Sequence, residues 1–194
     1  MTDREKILLL WDVDDVLNRF MQLCCRRFPA ERKLDYADLT VNPPHELLGL
    51  GREEYLATLD ACRPELYQEG PRPEIRLFFE RHGNEFRHAA LSAVPMRFAP
   101  DSAQWVLRHF GAWIQTCVFI PSPRPDFRMR SQLFRSKGEA AAAFGPGAVL
   151  IDDSPANVAD AEKHGCRTML FPTPWNKSRD RSVADFLEEL ITIE

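Results

Sequence analysis

Short apolar runs alternate along most of the chain with segments whose apolar residues recur at helical spacing. Five runs are too short for helices and predict buried strands, at 7–11, 86–91, 115–120, 148–151 and 168–171. Helical spacing predicts helices at 20–28, 52–62, 74–81, 101–110, 137–144, 155–164 and 183–190. Strands that alternate with helices predict an α/β fold, a doubly wound parallel sheet of the Rossmann-like kind.

One stretch interrupts the alternation directly after the first strand. Residues 18–72 are largely helical in pattern, with an irregular part at 31–50, and end at the Gly-Pro-Arg-Pro break of 70–73. We therefore predict a core made of residues 1–17 and 73–194 and a small inserted helical cap at 18–72.

Composition narrows the class of protein. Of the 194 residues, 44% are hydrophobic and 28% charged, which is typical of a globular protein, and the net charge of −4 predicts no nucleic-acid polymer as partner. The apolar run at 7–11 is too short for a signal sequence or a membrane span, so we expect no membrane partner and a cytoplasmic location. The five cysteines are odd in number and lack zinc-binding spacing, and we expect them to be reduced.

Carboxylates follow two of the predicted strands. Asp12, Asp14 and Asp15 come after the first, and Asp152 and Asp153 come after the fourth. Ser92 follows the second strand, and Lys137 begins a helix. Because parallel strands end at the same edge of a sheet, which is where such sheets bind ligands, we expect these side chains to converge.

The residue types predict phosphate chemistry. Crowded carboxylates need a cation, and ligands that are all oxygen favour Mg²⁺. Magnesium, Lys137 and Ser92 together form a phosphate-binding set. Asp12 is then placed to attack phosphorus, and Asp14, two residues on, to protonate the leaving oxygen and later to deprotonate the hydrolytic water.

Taken singly, each of these residues has an ordinary structural explanation. A strand-end Asp usually caps a turn or helix, Ser92 and Lys137 are typical polar surface residues, and the segment at 152–155 can simply cap the next helix. Their joint order along the chain favours the site: an acid pair, a hydroxyl, a lysine and a second acid pair.

These motifs resemble those of the haloacid dehalogenase (HAD) superfamily of phosphohydrolases. The segment Asp-Val-Asp-Asp-Val-Leu at 12–17 is similar to its first motif, Ser92 to its second, Lys137 to its third, and the acid pair at 152–153 to its fourth. The resemblance implies that Asp12 is the nucleophile and Asp14 the acid/base. It also implies that Mg²⁺ is held by Asp12, the Asp14 carbonyl, and Asp152 or Asp153. Asp15 departs from the pattern, because phosphatases of this family commonly have Gly there.

A finer resemblance is to the deoxyribonucleotidase branch, carried by the first motif, the fourth motif and Met-Leu-Phe-Pro-Thr-Pro-Trp-Asn at 169–176. It implies a nucleoside monophosphate substrate and a substrate role for Asn176, although a loop that closes the sheet edge would explain Asn176 equally. Arginine suits bidentate anion binding, so Arg97 and Arg130 are predicted substrate ligands, with Arg124 and Arg128 in the same loop as Arg130. A solvated basic loop is the alternative.

The sequence therefore predicts a Mg²⁺-dependent phosphomonoester hydrolase that acts on a small phosphorylated metabolite through an aspartyl-phosphate. A catalytically silent binding protein of the same fold and a phosphotransferase or mutase are the alternatives. A phosphorelay receiver domain is disfavoured, because there the lysine follows every acid, whereas here Asp152 and Asp153 follow Lys137.

Overall fold

The computed structural model describes residues 6–28, 34–122 and 132–193. Its centre is one sheet of five parallel strands. In chain order these are β1 (Leu8–Trp11), β2 (Arg87–Ser92), β3 (Ile114–Phe119), β4 (Ala148–Asp152) and β5 (Arg167–Leu170). Each lies within about one residue of a predicted strand. The central strands β1, β2 and β4 are largely buried, and a buried strand leaves a continuous apolar run in the sequence.

The strands lie in the order β3-β2-β1-β4-β5, and every neighbouring pair is parallel. The chain builds outward from β1 on one side and then returns to build β4 and β5 on the other. The reversal of strand order therefore falls between β1 and β4, and the carboxyl ends of these two strands flank the crevice where such sheets bind ligands. The predicted doubly wound parallel fold is confirmed.

The predicted helices are all present. They are α1 (Phe20–Cys25), α2 (Arg52–Leu66), α3 (Pro73–His82), α4 (Ala99–Phe110), α5 (Lys137–Ala143), α6 (Pro155–Lys163) and α7 (Val183–Ile191).

Three helix ends differ from the prediction by two or more residues. Helix α1 ends at Cys25 rather than at Phe28. Helix α2 continues past Cys62 to Leu66 with Pro64 inside its last turn, where the loss of one backbone hydrogen bond is tolerated. Helix α4 begins at Ala99 rather than at Asp101, because Pro100 occupies its first turn, a position that suits proline.

An aromatic core fills the space beneath α3 and α4. Trp11, Phe79 and Phe110 are fully buried, and the rings of Phe79 and Phe110 are 4.8 Å apart. His88 lies among them on β2, where its Nδ1 accepts a hydrogen bond from Trp11 Nε1 at 3.0 Å and its Nε2 lies 2.8 Å from the Gly83 carbonyl. This arrangement requires a neutral imidazole.

We expect His88 to make the stability of the fold depend on pH. Burial lowers its pKa from about 6.5 to about 4, so the unfolded chain binds a proton that the folded chain excludes between these values. Stability is fully present above the unfolded pKa and declines as the pH falls toward 4, by about 2 to 3 kcal/mol at 1.36 kcal/mol per unit. Urea unfolding at pH 7 and at pH 4.5 measures the decline, and His88→Phe should flatten it. An equal decline in the variant would assign the effect to other groups.

The residues between β1 and α3 supply α1, a turn at Tyr36–Asp38 and α2, and they pack on the sheet edge. Arg72 connects the end of this segment to its beginning through hydrogen bonds. Its backbone N–H donates to the Leu17 carbonyl at 3.0 Å, and its guanidinium donates to the carbonyls of Asn18 and Asp15, both at 3.0 Å. The division into core and cap stays a prediction.

Two further features concern the described residues as a whole. None of their helices is both long enough and apolar enough to cross a membrane. The five cysteines carry free thiols, and Cys24, Cys25 and Cys62 are buried in α1 and α2.

Candidate active site

The strand ends bring the predicted carboxylates to one place. Trp11 pairs with Ile151 in the β1–β4 ladder, and the Asp12 N–H extends it by donating to the Ile151 carbonyl at 2.9 Å. Asp12 and Asp152 are therefore neighbours across adjacent strands. Ser92 ends β2 on the other side of β1, and its Oγ accepts from the Val94 N–H at 3.3 Å.

Lys137 reaches the same point from the first turn of α5. Its Nζ lies 2.7 Å from Asp12 Oδ1 and 2.6 Å from Asp152 Oδ2. Burial alone would lower the pKa of Lys137, but these two carboxylates outweigh it and raise the pKa above its usual value. Lys137 is thus a fixed cation between the two strand ends.

The start of α5 is held closely against α6. Ser136 caps the helix by accepting from the Glu139 N–H at 3.1 Å, and the Gly138 N–H donates to Asp160 Oδ2 at 2.8 Å. A Cβ at Gly138 would lie 2.4 Å from that same oxygen and 2.7 Å from the Asp160 backbone. Glycine at this position therefore permits the close approach that places Lys137.

Asp12, Asp152 and Asp153 form a candidate metal centre. Each offers an oxygen, and the three oxygens lie within 4.8 Å of one another. Burial and the neighbouring carboxylates raise the pKa of Asp12 and of Asp153 well above the usual range, although Lys137 acts in the opposite direction. Three buried acids against one lysine leave an excess of negative charge, and a set made only of carboxylate oxygens fits a hard divalent cation.

The hydrogen bonds distinguish Asp152 from Asp153. Asp152 accepts from the Ser154 N–H at 2.9 Å, from Asn157 Nδ2 at 3.0 and 3.1 Å, and from Lys137. Asp153 accepts one side-chain hydrogen bond, from Trp175 Nε1 to its Oδ2 at 2.9 Å. Among the described residues no donor reaches Asp153 Oδ1 or Asp12 Oδ2. A cation that binds at either oxygen therefore meets no competing donor from these residues.

Asp14 is held by a residue of the inserted segment. Arg63 of α2 lies 2.8 Å from its Oδ2, and Asn18 Nδ2 donates to its Oδ1 at 3.0 Å. Burial would raise the pKa of Asp14, but the Arg63 guanidinium outweighs it and the pKa is lowered. Arg63 is only 3% exposed and lies over the Phe20 ring at 4.2 Å. The ionised form of Asp14 is therefore favoured.

Asp15 has a left-handed backbone conformation, which glycine adopts at lower cost than other residues. Glycine is common at this position in the superfamily that the sequence resembles. The φ of Asp15 is 65°, in the left-handed region that costs a side chain of this kind roughly 1 kcal/mol. Local hydrogen bonds offset this cost: the Asp15 N–H donates to Asn18 Oδ1 at 3.0 Å, and Asp15 Oδ1 accepts from the Met21 N–H at 2.8 Å. Burial raises the pKa of Asp15 to about 7. Its side chain thus secures the start of α1.

A cavity of about 220 Å³ opens onto these groups. We call it the catalytic cavity, and five of the six predicted catalytic and metal-binding residues line it: Asp12, Asp14, Ser92, Lys137 and Asp153. The sixth, Asp152, is fully buried and does not line it. Asp15, Phe20, Tyr55 and Leu59 complete much of the wall.

The predicted substrate residues are placed elsewhere. Arg97 lies 2.5 Å from Asp60 of α2 and does not line the catalytic cavity. Asn176 is buried, and its Nδ2 donates to the carbonyls of Asp153 and Phe171 and to Thr173 Oγ1, so it closes the sheet edge after β5. Arg130, like Arg124 and Arg128, lies outside the described residues. Contact of Arg97, Asn176 and Arg130 with substrate stays a prediction.

Sequence reasoning missed three residues of the site. They are Arg63, which contacts Asp14, Asn157, which donates to Asp152, and Arg72, which donates to the Asp15 carbonyl. Each looks in the sequence like a solvated helix or loop residue. Only Asn157 carries a local signal, because it lies five positions after Asp152, within one turn of the helix that the acid pair precedes. The partners of Arg63 and Arg72 are 49 and 57 residues away in the chain.

No protein-family model matches the sequence, and a comparison with curated proteins gives no match. Solved structures do match the fold. YfnB of Bacillus subtilis, described as a candidate HAD-hydrolase bound to magnesium, is 12% identical with a TM-score of 0.60, covering 97% of this chain and 99% of that one. A candidate β-phosphoglucomutase of Thermotoga maritima is 14% identical with a TM-score of 0.54, covering 97% and 100%.

A third similar structure is a mutant of CbbY from Rhodobacter sphaeroides in complex with xylulose-(1,5)bisphosphate. It is 16% identical with a TM-score of 0.50, covering 92% of this chain and 91% of that one. The fold of this chain is thus that of the HAD hydrolases, as the sequence motifs predict. At these identities the likeness concerns the fold, and the activity has to be argued from the site.

Proposed function

We propose that this protein is a Mg²⁺-dependent phosphomonoester hydrolase that acts on a small phosphorylated metabolite. One observation carries the proposal: the Asp12 carboxylate lines a cavity, its Oδ1 lies 2.7 Å from Lys137 Nζ, and two more buried carboxylates lie beside it. The similarity to YfnB, which binds magnesium, and to CbbY, which binds a phosphorylated sugar, supports the same conclusion.

Asp12 is the nucleophile in this proposal. Its oxygen attacks phosphorus, the bond from phosphorus to the leaving oxygen breaks, and an aspartyl-phosphate forms on Asp12. Water then attacks that phosphorus, which releases inorganic phosphate and restores the carboxylate. Lys137 and the Ser92 hydroxyl hold the phosphoryl oxygens. When bound by Asp12, Asp153 and the Asp14 carbonyl, Mg²⁺ neutralises the negative charge shared by the carboxylates and the phosphoryl group.

Asp14 is the acid/base. In the arrangement described above it is paired with Arg63, which favours the carboxylate form that deprotonates the attacking water. To protonate the leaving oxygen in the first step, Asp14 has to give up this pairing and gain a proton. The proposal therefore links the first step to a movement of Arg63, and with it α2, relative to β1.

The two acids after β4 should differ in metal binding. Asp153→Asn should weaken Mg²⁺ binding by more than about tenfold, because it removes a charge whose oxygen has no competing donor. Asp152→Asn should weaken Mg²⁺ binding less but lower the melting temperature more, because Lys137 loses a buried partner. Calorimetric titration of each variant with Mg²⁺ and thermal unfolding measure the two effects. Mg²⁺ binding that is weaker in Asp152→Asn than in Asp153→Asn would contradict the assignment of Asp153 as the metal ligand.

Hydrolysis of p-nitrophenyl phosphate tests the proposed function. We expect turnover with Mg²⁺ between about pH 5 and about pH 9, loss of turnover on chelation, and recovery when Mg²⁺ is restored. Asp180→Asn, which changes a fully exposed carboxylate, is the matched control and should keep full activity.

Two other outcomes separate the alternative functions. Binding of Mg²⁺ without hydrolysis of p-nitrophenyl phosphate or of any phosphorylated metabolite in a panel that includes nucleotides would indicate a silent binding protein. Recovery of the phosphoryl group on a second hydroxyl of an acceptor sugar, rather than as inorganic phosphate, would indicate a phosphotransferase or mutase.

A further inference from the structure

A second cavity of about 390 Å³ lies next to the catalytic cavity. Three residues, Asn42, Tyr55 and Leu59, line both, and Tyr55 and Leu59 belong to α2. We call the second space the distal cavity. Because the two cavities share these residues, the distal cavity is the space next to a phosphate that lies against Asp12 and Lys137.

Much of the lining of the distal cavity is apolar. Pro43, Leu56 and Leu59 contribute aliphatic surface. Tyr55 is 2% exposed, with its ring between Phe28 at 6.1 Å and His45 at 5.7 Å. A wall of this kind favours a flat or ring-shaped apolar group, because aromatic and aliphatic faces stack on it without leaving polar groups unpaired.

The distal cavity also carries polar and positively charged groups. Arg52, the first residue of α2, is exposed and makes no ion pair with another described residue. The Nδ1 atom of His45 is buried and has no hydrogen-bond partner. The catalytic cavity, by contrast, carries the excess of carboxylates. This polarity directs a second negative charge on a substrate away from Asp12 and toward Arg52.

We propose that the distal cavity binds the leaving group, and that the substrate is a phosphomonoester of a ring-bearing alcohol or phenol with an anionic group at its far end. This rests on the proposed function, because it assigns the space next to the same phosphate site. The phosphate then lies at the carboxylates, their cation and Lys137. The ring lies against Tyr55 and Leu59, and the terminal anion lies near Arg52 and His45.

The ring part of the proposal is tested by filling the distal cavity. Leu56 lines the distal cavity and not the catalytic one, so Leu56→Trp should raise KM for 1-naphthyl phosphate by about tenfold. It should leave turnover of acetyl phosphate, which is too small to reach the distal cavity, within about twofold of the parent. Leu107→Trp, at an exposed leucine of α4, is the control and should change neither. If Leu56→Trp unfolds, Leu56→Ala should raise KM for 1-naphthyl phosphate alone, by about threefold.

The anionic part is tested with two substrates of nearly equal size, 4-carboxyphenyl phosphate and 4-carbamoylphenyl phosphate. The parent should prefer the carboxylate by kcat/KM, and Arg52→Gln should reduce that preference by about fivefold. Arg81→Gln, at another exposed arginine, should leave the preference unchanged.

The outcomes separate this inference from the function on which it rests. Suppose that the parent hydrolyses acetyl phosphate, and that Leu56→Trp either leaves KM for 1-naphthyl phosphate unchanged or affects both substrates equally. This result overturns the distal cavity as the leaving-group site, but it leaves the proposed phosphatase activity standing. An unchanged preference in Arg52→Gln overturns the anionic end. Absence of hydrolysis of every phosphate ester overturns both proposals together.

Discussion

Asp12→Asn is expected to lower kcat for p-nitrophenyl phosphate by at least about 10³-fold, because an amide cannot form the covalent intermediate. The change is nearly isosteric, and the oxygen of the new amide can still accept from the Val13 N–H, which donates to Asp12 at 2.7 Å in the parent. We therefore expect the melting temperature without metal to stay the same or rise, since a buried carboxylate with a raised pKa is removed. Steady-state kinetics and thermal unfolding of the same preparation measure both.

The control for this variant is Asp180→Asn, at an exposed residue that does not line the catalytic cavity. Inorganic phosphate binding to Asp12→Asn, measured by calorimetry with Mg²⁺, should persist, because Lys137 and Ser92 remain. A kcat above about one hundredth of the parent value, in protein free of deamidated material, would show that Asp12 is not the nucleophile.

Lys137→Met should have the second largest effect, a loss of about 10² to 10³-fold in kcat/KM. The substitution keeps the length of the side chain but removes the only cation within 2.7 Å of Asp12 and Asp152 among the described residues. Asp12 and Asp153, whose pKa values Lys137 lowers in the parent, then become harder to ionise, so the metal site and the nucleophile are both weakened. Lys163→Met, at an exposed lysine of α6, is the matched control.

In the absence of metal, the melting temperature of Lys137→Met should depend on pH differently from that of the parent. Burial and like charge already raise the pKa of Asp12 and Asp153, and removing Lys137 raises them further. A group whose folded pKa is raised stabilises the fold below its unfolded pKa and loses that contribution as the pH rises through the folded pKa. The melting temperature of Lys137→Met in chelator should therefore fall more steeply from pH 5 to pH 8 than that of the parent. Parallel curves would show that Lys137 does not balance these charges.

The sheet and its catalytic edge could be predicted from the sequence because their signals are local. An apolar run that ends in acids identifies β1 and β4, and parallel strands necessarily bring Asp12 and Asp152 together. Lys137 has the same advantage, since the capped start of a helix lies near a strand end. The HAD-type fold is confirmed by the order of the strands and by the solved structures.

The groups that hold these residues could not be predicted, because their partners are distant in the chain. Nothing near Arg63 indicates a partner 49 residues earlier, and nothing near Arg97 indicates Asp60 as its partner. Asn176 is another case, because its amide donates to the carbonyls of Asp153 and Phe171. The distal cavity depends on how α2 packs with the segment around His45, which no local pattern records.

Trapping the phosphorylated protein is the most direct test of the account. The Asp14→Asn variant keeps the nucleophile but lacks the base that activates water, so it should accumulate the intermediate when mixed with acetyl phosphate and Mg²⁺. After acid quenching and digestion, mass spectrometry should find one phosphoryl group, on Asp12, in the peptide that spans the end of β1. The Asp12→Asn protein should carry none. Phosphorylation at another residue, or turnover of the parent with no trapped phosphoprotein in any variant, would contradict the central claim that Asp12 attacks phosphorus.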